Sequence, residues 1–388
     1  MRLTGPRWTM SAAAITLALA AGVAPLAAQE AAPAAITAAR YAPAALRQDV
    51  VRGAYELLDA PELGILFVAA APSFDEGTSG AVYMLDRDDL HVIRRIQLPR
   101  RAFALGMDRE AGRLYVGNTL DGSLTVLDAK SGLPLDTIQL GKKLEDEGFE
   151  HTRMIEVDQK TGHVFVSSPS ETGTVWIVDG RKGELLHRID DAGLWAAGLA
   201  QDAAKGRVYA SGGGIEEIAV IDSATGERVD GIATGDTTEA GKEASKHFFV
   251  NLAMDPQGGR LFAADAETGQ LYVFDAAEGK LLKTVPVGPG TLDVAYNAAR
   301  DEIYLTWRGV TREAPEGTGG LLVVDGKDYA VKRKLSLPVH PNSLEVSQDG
   351  ARLYVSIKAP MEEKHPAFRK DAVDSVLRLD LARLAEVK

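Results

Sequence analysis

The 388-residue chain contains no cysteine. Disulfides, thiolate zinc sites, iron–sulfur clusters and CxxCH haem attachment are therefore excluded, and stability must come from packing alone. Aromatic residues are scarce, at 6%, so any convergence of rings is selective. Positive charge is also in deficit, with 43 Lys and Arg against 55 Asp and Glu, a net charge of −12. An acidic exterior disfavours nonspecific association with nucleic acid or anionic lipid, though it leaves room for a local basic site. The sequence has no GxSxG, HExxH or P-loop, and no GxGxxG between strand and helix, so the common enzyme signatures are missing and no catalytic residue is assigned.

The one long apolar run is N-terminal. Arg2 and Arg7 precede an Ala, Ile, Leu and Val stretch from Ala12 to Ala24, and small residues continue to Ala28. Residues 1–28 read as a secretory signal peptide cleaved near Ala28-Gln29. Export to a bacterial periplasm is expected, with no membrane span left after cleavage. Losing Arg2 and Arg7, and no acid, takes the net charge from −12 to −14. Residues 29–45, rich in Ala and Pro, predict a flexible or partly extended lead-in.

From residue 46 to 388 the chain is one repeated unit. Short β-prone runs alternate with turn residues, most clearly from Asp108 to Gly141, which is a strand signal rather than a helical one. The turn Asp128-Ala-Lys-Ser-Gly132 needs an Asp carboxylate to accept backbone N–H groups and a glycine to take positive φ. An aspartate after an apolar run recurs at Asp86, Asp128, Asp179, Asp222, Asp275, Asp325 and Asp380. A second turn marker recurs in step, in DREAGRLYV, DQKTGHVFV, DAAKGRVYA and their looser copies. Seven copies of four short strands, 42 to 55 residues apart, predict an all-β, seven-bladed propeller.

The last copy supplies three strands and then only Leu381 to Lys388. The strand-like segment Leu46 to Val51 is expected to complete it and close the ring, leaving no exposed edge and a monomeric protein. In such a meander both marker turns lie on one face. The long insertions, near 71–80, 141–151, 233–247, 309–320 and 359–372, gather on the other, where function is expected.

Counting back seven residues from each inner turn reaches the loop entering the innermost strand. The positions are Arg52, Arg101, His151, Trp195, Phe248, Gly290 and His340. Neighbouring positions add Arg100, Glu150 and His247, and the strand starts add Tyr55, Glu56, Phe103, Arg153, Asn251 and Asn342. Cations and rings at one register predict a ligand site at the channel mouth, for a small anionic ligand or an envelope partner. Arg52, Arg101 and Arg153 with Lys246 would supply its positive potential. Read structurally, the same residues plug the channel, with Phe248 and Trp195 packed between blades and the arginines paired to Glu56 and Glu150.

Two metal readings stand beside this one. Glu56, Asn251, Asp293 and Asn342 offer the oxygen ligands of a Ca or Mg site, as in propeller hydrolases acting on a lactone or ester. His151, His247 and His340 would be a transition-metal set if their three blades brought them together.

The segments Leu114-Tyr-Val-Gly-Asn118 and Leu353-Tyr-Val-Ser356 resemble the YVTN repeat of seven-bladed bacterial and archaeal propellers. Gly53-Ala-Tyr-Glu56, Lys246-His-Phe-Phe-Val-Asn251 and His340-Pro-Asn-Ser-Leu344 resemble the periplasmic, YncE-like members of that family. The likeness runs over residues 46 to 380. It implies a periplasmic propeller linked to iron-responsive expression and to binding of single-stranded DNA.

Overall fold

The computed structural model describes residues 33–387, apart from 74, 76, 146–147, 311–316 and 361–362. The signal peptide read at residues 1–28 lies outside the described residues. Seven four-stranded antiparallel sheets follow one another along the chain. Their innermost strands are Ala54–Ala60, Ala102–Asp108, Ile155–Val157, Leu194–Asp202, Phe249–Asp255, Thr291–Asn297 and Pro341–Val346, here taken as blades 1 to 7. The fold is the expected seven-bladed propeller.

The turn chemistry matches the residues that signalled it. Asp128 Oδ1 accepts from Ser131 N at 2.7 Å, Gly132 N donates to Asp128 O at 2.7 Å, and Gly132 has φ +70°. Asp222 Oδ1 accepts from Ala224 N and Thr225 N, both at 3.0 Å.

Among the described residues the apolar core divides into seven clusters, and each fills one interface between neighbouring blades. Phe67, Val82 and Met84 of blade 1 pack on Leu105, Leu114 and Val116 of blade 2. Tyr354 and Val376 of blade 7 pack on Leu57, Leu66 and Val68 of blade 1. Middle strands such as Ile65–Ala70 are buried on both faces, which explains their unbroken apolar runs. Each blade therefore needs both neighbours, and the ring has to close.

Closure comes from the N-terminal strand. Ala45–Val51 pairs antiparallel with Asp374–Asp380 and becomes the outermost strand of blade 7. Asp374 then links the seam to blade 1, since its Oδ2 accepts from Ala54 N at 2.6 Å. The residues after Asp380 form a short helix, Leu381–Glu386, instead of a further strand. Of the lead-in, expected to be flexible or partly extended, the described part docks on blade 6. Ile36 N donates to Lys334 O at 2.7 Å, Ser336 N donates to Ile36 O at 2.9 Å, and the buried Tyr41 donates its hydroxyl to Ser336 O. The outer strand of blade 6, Val331–Leu337, offered an unpaired edge and an apolar face, and these residues cover both.

Deleting residues 43–52 should expose the blade 7 and blade 1 faces and lower the melting temperature by ~10 °C or more, at a few degrees per kcal/mol for a domain of this size. Calorimetry on the mature protein checks this, and a melting point unchanged within a few degrees would contradict the closure.

Candidate functional site

The mouth of the channel is shaped by register shifts at the starts of the inner strands. Pairing with the second strand runs from Ala54↔Ala70 directly to Leu57↔Val68, so one extra residue is accommodated between them. Equivalent shifts fall between Ala102 and Ala104, Leu194 and Gly198, Phe249 and Asn251, Thr291 and Val294, and Pro341 and Leu344. A bulge re-aims the side chains it carries. The bulged residues include Tyr55, Glu56, Phe103, Val250, Leu292, Asp293, Asn342 and Ser343. In blade 3 the inner strand begins only at Ile155, and Arg153 N donates to Ser167 O at 2.8 Å from outside it.

These residues surround a cavity of about 480 Å³. Its walls are Tyr55 and Glu56 of blade 1, Phe103 of blade 2, Arg153 of blade 3, Phe248, Val250 and Asn251 of blade 5, Leu292 and Arg308 of blade 6, and Asn342 of blade 7. Of the residues expected at the mouth, Tyr55, Glu56, Phe103, Arg153, Phe248, Asn251 and Asn342 line this one space. The Tyr55 and Phe103 rings lie 4.4 Å apart between centroids, tilted by 30°.

At the base, polar groups are tied together. Arg153 Nη1 donates to Ala197 O (3.0 Å), Val250 O (3.0 Å) and Asn251 Oδ1 (2.8 Å). Asn251 Nδ2 donates to Asp293 Oδ1 at 2.7 Å, and Asp293 also accepts from Leu344 N at 2.6 Å and Val294 N at 2.9 Å. Glu56 accepts from Ser343 Oγ at 2.5 Å. Burial pushes both Glu56 and Asp293 above the usual carboxylate range, and for Glu56 the charge of Asp293 adds to it; Arg153 opposes the shift in both.

Gly290 also lines it; the other residues expected at the mouth, His151 among them, do not. Arg101 is 7% exposed and donates to both oxygens of Asp121, at 3.1 and 3.2 Å. His247 is buried between Asp265 (Nδ1, 2.7 Å) and Asp236 (Nε2, 3.1 Å). Burial lowers its pKa most strongly, but the two carboxylates outweigh burial and leave it raised. Trp195 takes a left-handed backbone, φ +58°, and packs edge-on against Phe248 at 5.3 Å, behind the wall. Arg52 and Lys246 are exposed outside the cavity. His340 also has a left-handed backbone, φ +62°, with its ring 6.1 Å from His365. Glu150 pairs with Arg188 at 2.7 Å rather than with a mouth arginine. The positive potential assigned to Arg52, Arg101 and Lys246 is thus corrected, and only Arg153 of that set lines the cavity.

Neither metal set is supported by the arrangement. Asn251 Oδ1 is committed to Arg153, Asp293 already accepts three N–H groups, and the Arg153 guanidinium supplies the positive charge among Glu56, Asn251 and Asp293. These residues, with Asn342, leave too few free oxygens for Ca, which takes six to eight, and the carboxylates that an octahedral, largely hydrated Mg would need are already bonded to Ser343, Asn251, Val294 and Leu344. Among the described residues His151, His247 and His340 form no metal-ligating group; the one close trio of such ligands, Asp86, Asp89 and His91, is at a blade 1 outer turn.

Two cations were missed from sequence. Arg308 and Lys358 are the first residues after the second strands Glu302–Trp307 and Arg352–Ile357. The signal lies in the register of the second-strand ends, where both occupy the same position in their blades. Lys358 Nζ lies 3.6 Å over the Tyr55 ring, donates to Ala54 O at 2.9 Å and is 3.7 Å from Asp374; burial pulls its pKa down to about 8. Arg308 is different. Its side chain is solvent-exposed but enclosed by the mouth, and no described residue accepts a hydrogen bond from its guanidinium. Its position depends on Gly290, where φ is +69° and an added Cβ would come within 3.2 Å of Arg308 Cβ.

Sequence comparison then supplies the relatives. Over 330 residues, 84% of this chain and 89% of theirs, it is 30% identical to the uncharacterized protein YncE of Salmonella typhi and 31% identical to that of Escherichia coli strain K12. The chain belongs to the YncE family. Residues 78–295 of this YncE-like propeller also match, and belong to, the wider family whose model is described as outer membrane protein assembly factor BamB. Among solved structures, the RRP9 WD40 repeats and U3-55K superpose with TM-scores of 0.65 and 0.64 at 12% identity, over 87% of this chain and 96 and 97% of theirs. At that identity the likeness is one of fold.

The deeper inner strands hold further carboxyls. Burial raises Glu156 to about 7 and Glu345, whose carboxylate accepts from Asp59 N at 2.9 Å, to about 8. A raised folded-state pKa contributes stability that is complete below the ordinary Glu value and lost as pH rises through about 7 for Glu156. Glu156→Gln should therefore make the protein more stable at pH 8, by ~1–2 kcal/mol after allowing for channel water, and leave it nearly unchanged at pH 4. Urea unfolding at both pH values is the check; equal effects would contradict a buried ionisable Glu156.

Proposed function

We propose that this YncE-family protein is an exported, non-enzymatic binding protein of the periplasm, and that it holds a small organic anion in the cavity at the channel mouth. The observation that carries the reading is Arg308, a guanidinium without an acceptor among the described residues, in a concavity walled by Tyr55, Phe103 and Phe248. Such a group attracts an anion, and low-dielectric walls focus its field despite the acidic exterior. The leader from Arg2 to Ala28 supports export, and the grouping of long loops on the mouth face supports a binding role there. An envelope partner that offers an acidic group would use the same cation.

Hydrolysis is the weaker reading, because the described cavity residues form no set that fits a hard cation, and Ser343, the one hydroxyl bonded to a carboxylate there, does not line the cavity. Single-stranded DNA is also weaker. Stacking on Trp195, Phe103 or Phe248 would contribute about 1–3 kcal/mol per base, but Trp195 packs edge-on behind Phe248 and the net charge opposes phosphates.

Thermal-shift titration with acetate, benzoate, inorganic phosphate and AMP, together with anisotropy of a labelled oligonucleotide, tests this. At least one small anion should stabilise the wild type, with the effect reduced at least tenfold in Arg308→Ala. The oligonucleotide should bind no more tightly than about micromolar at physiological salt. Stabilisation by no anion, or stabilisation that persists in Arg308→Ala, contradicts the proposal.

A further inference from the structure

The cavity carries enough information to narrow the ligand class, and this step rests on the binding reading above. Two guanidinium groups reach the same space. Arg153 uses Nη1 for its three protein acceptors, while its Nε and Nη2 have none among the described residues. The Arg308 guanidinium has none among the described residues, its backbone N donating to Gly290 O. Planar N–H donors of this kind match the two oxygens of a carboxylate.

The base of the cavity limits how much negative charge it accepts. Glu56 lines the cavity, Asp293 is joined to Arg153 through Asn251, and Asp293 is 5% exposed. Burial and mutual repulsion keep this pair from carrying two full charges at neutral pH. Lys358 is offset by Asp374 at 3.7 Å. With two guanidinium charges against about one carboxylate, the mouth is left with about one positive charge in excess. A monoanion balances it, whereas a phosphate dianion is repelled by the carboxyls below.

The walls specify the rest. The offset Tyr55 and Phe103 rings, Phe248, Val250 and Leu292 present an apolar, largely aromatic surface within about 480 Å³, room for one or two rings. We infer that the cavity is a site for a planar aromatic monocarboxylate, its carboxylate between Arg153 and Arg308 and its ring against Tyr55, Phe103 and Phe248.

Isothermal titration of the mature protein with trans-cinnamate, acetate and phenyl phosphate tests this. Cinnamate should bind with a Kd below about 1 mM, in keeping with a ligand of its size, and at least tenfold more tightly than either comparison anion. Arg308→Gln should weaken cinnamate at least tenfold, and Phe248→Ala several-fold, with melting temperatures confirming that both variants fold. The Arg308 side chain donates to no described residue, and its backbone bonds to Gly290 and His340 do not depend on the side chain, so its variant is expected to fold. If acetate or phenyl phosphate binds as well as cinnamate through Arg308, the aromatic monocarboxylate assignment falls while the anion-binding reading stands. If cinnamate binding is absent, or indifferent to Arg308→Gln, the assignment is overturned; if no anion depends on Arg308, both readings fall together.

Discussion

Every blade of this propeller buries its two faces against its neighbours, so no blade is stable until the ring is complete. With seven apolar clusters at seven interfaces and no cysteine, that closure depends on the antiparallel pairing of Ala45–Val51 with Asp374–Asp380. The pairing joins the two ends of the folded domain, and Asp374 extends it sideways to Ala54 at the first inner strand. The same carboxylate faces Lys358, which lies over Tyr55. The seam that holds the fold together therefore also sets one wall of the cavity.

The ring supplies a rigid frame, and irregularity at the inner strand starts supplies the site. A perfectly registered inner strand would alternate its side chains between the two blade interfaces. The bulges interrupt that alternation and turn Tyr55, Glu56, Phe103 and Leu292 toward the mouth. Deep burial then makes the polar residues interdependent. Arg153 is held by three acceptors, Asn251 bridges it to Asp293, and the two carboxyls share what positive charge Arg153 provides. Arg308 stands outside this network, which is why the ligand argument turns on it.

The fold was legible because its signals are local and repeated. Asp128 and Gly132 make their turn by themselves, and seven such turns at a steady spacing leave few alternatives. The site was legible only in part. Tyr55, Phe103, Arg153 and Phe248, reached by the count from turn to strand start, line one cavity, because the strand fixes their position. The same count could not show that Arg101 turns onto Asp121 or His247 onto Asp265 and Asp236, since those partners come from other segments. Gly290 occupied a register position without a side chain, and the cation that fills its place, Arg308, comes from the far end of the adjacent strand. The docked lead-in was hidden for a similar reason: Ile36 and Tyr41 order themselves on an edge that exists only once blade 6 has formed.

Two guanidinium groups stand at the channel mouth, and that of Arg308 has no acceptor among the described residues; the central claim is that they hold an organic anion. A crystal structure of the mature protein grown with an aromatic carboxylate tests it most directly. The account predicts the carboxylate within hydrogen-bond distance of Arg153 and Arg308 and the ring beside Phe103 and Phe248. Density for the compound elsewhere, with Arg308 instead paired to a carboxylate of the chain itself, would contradict it.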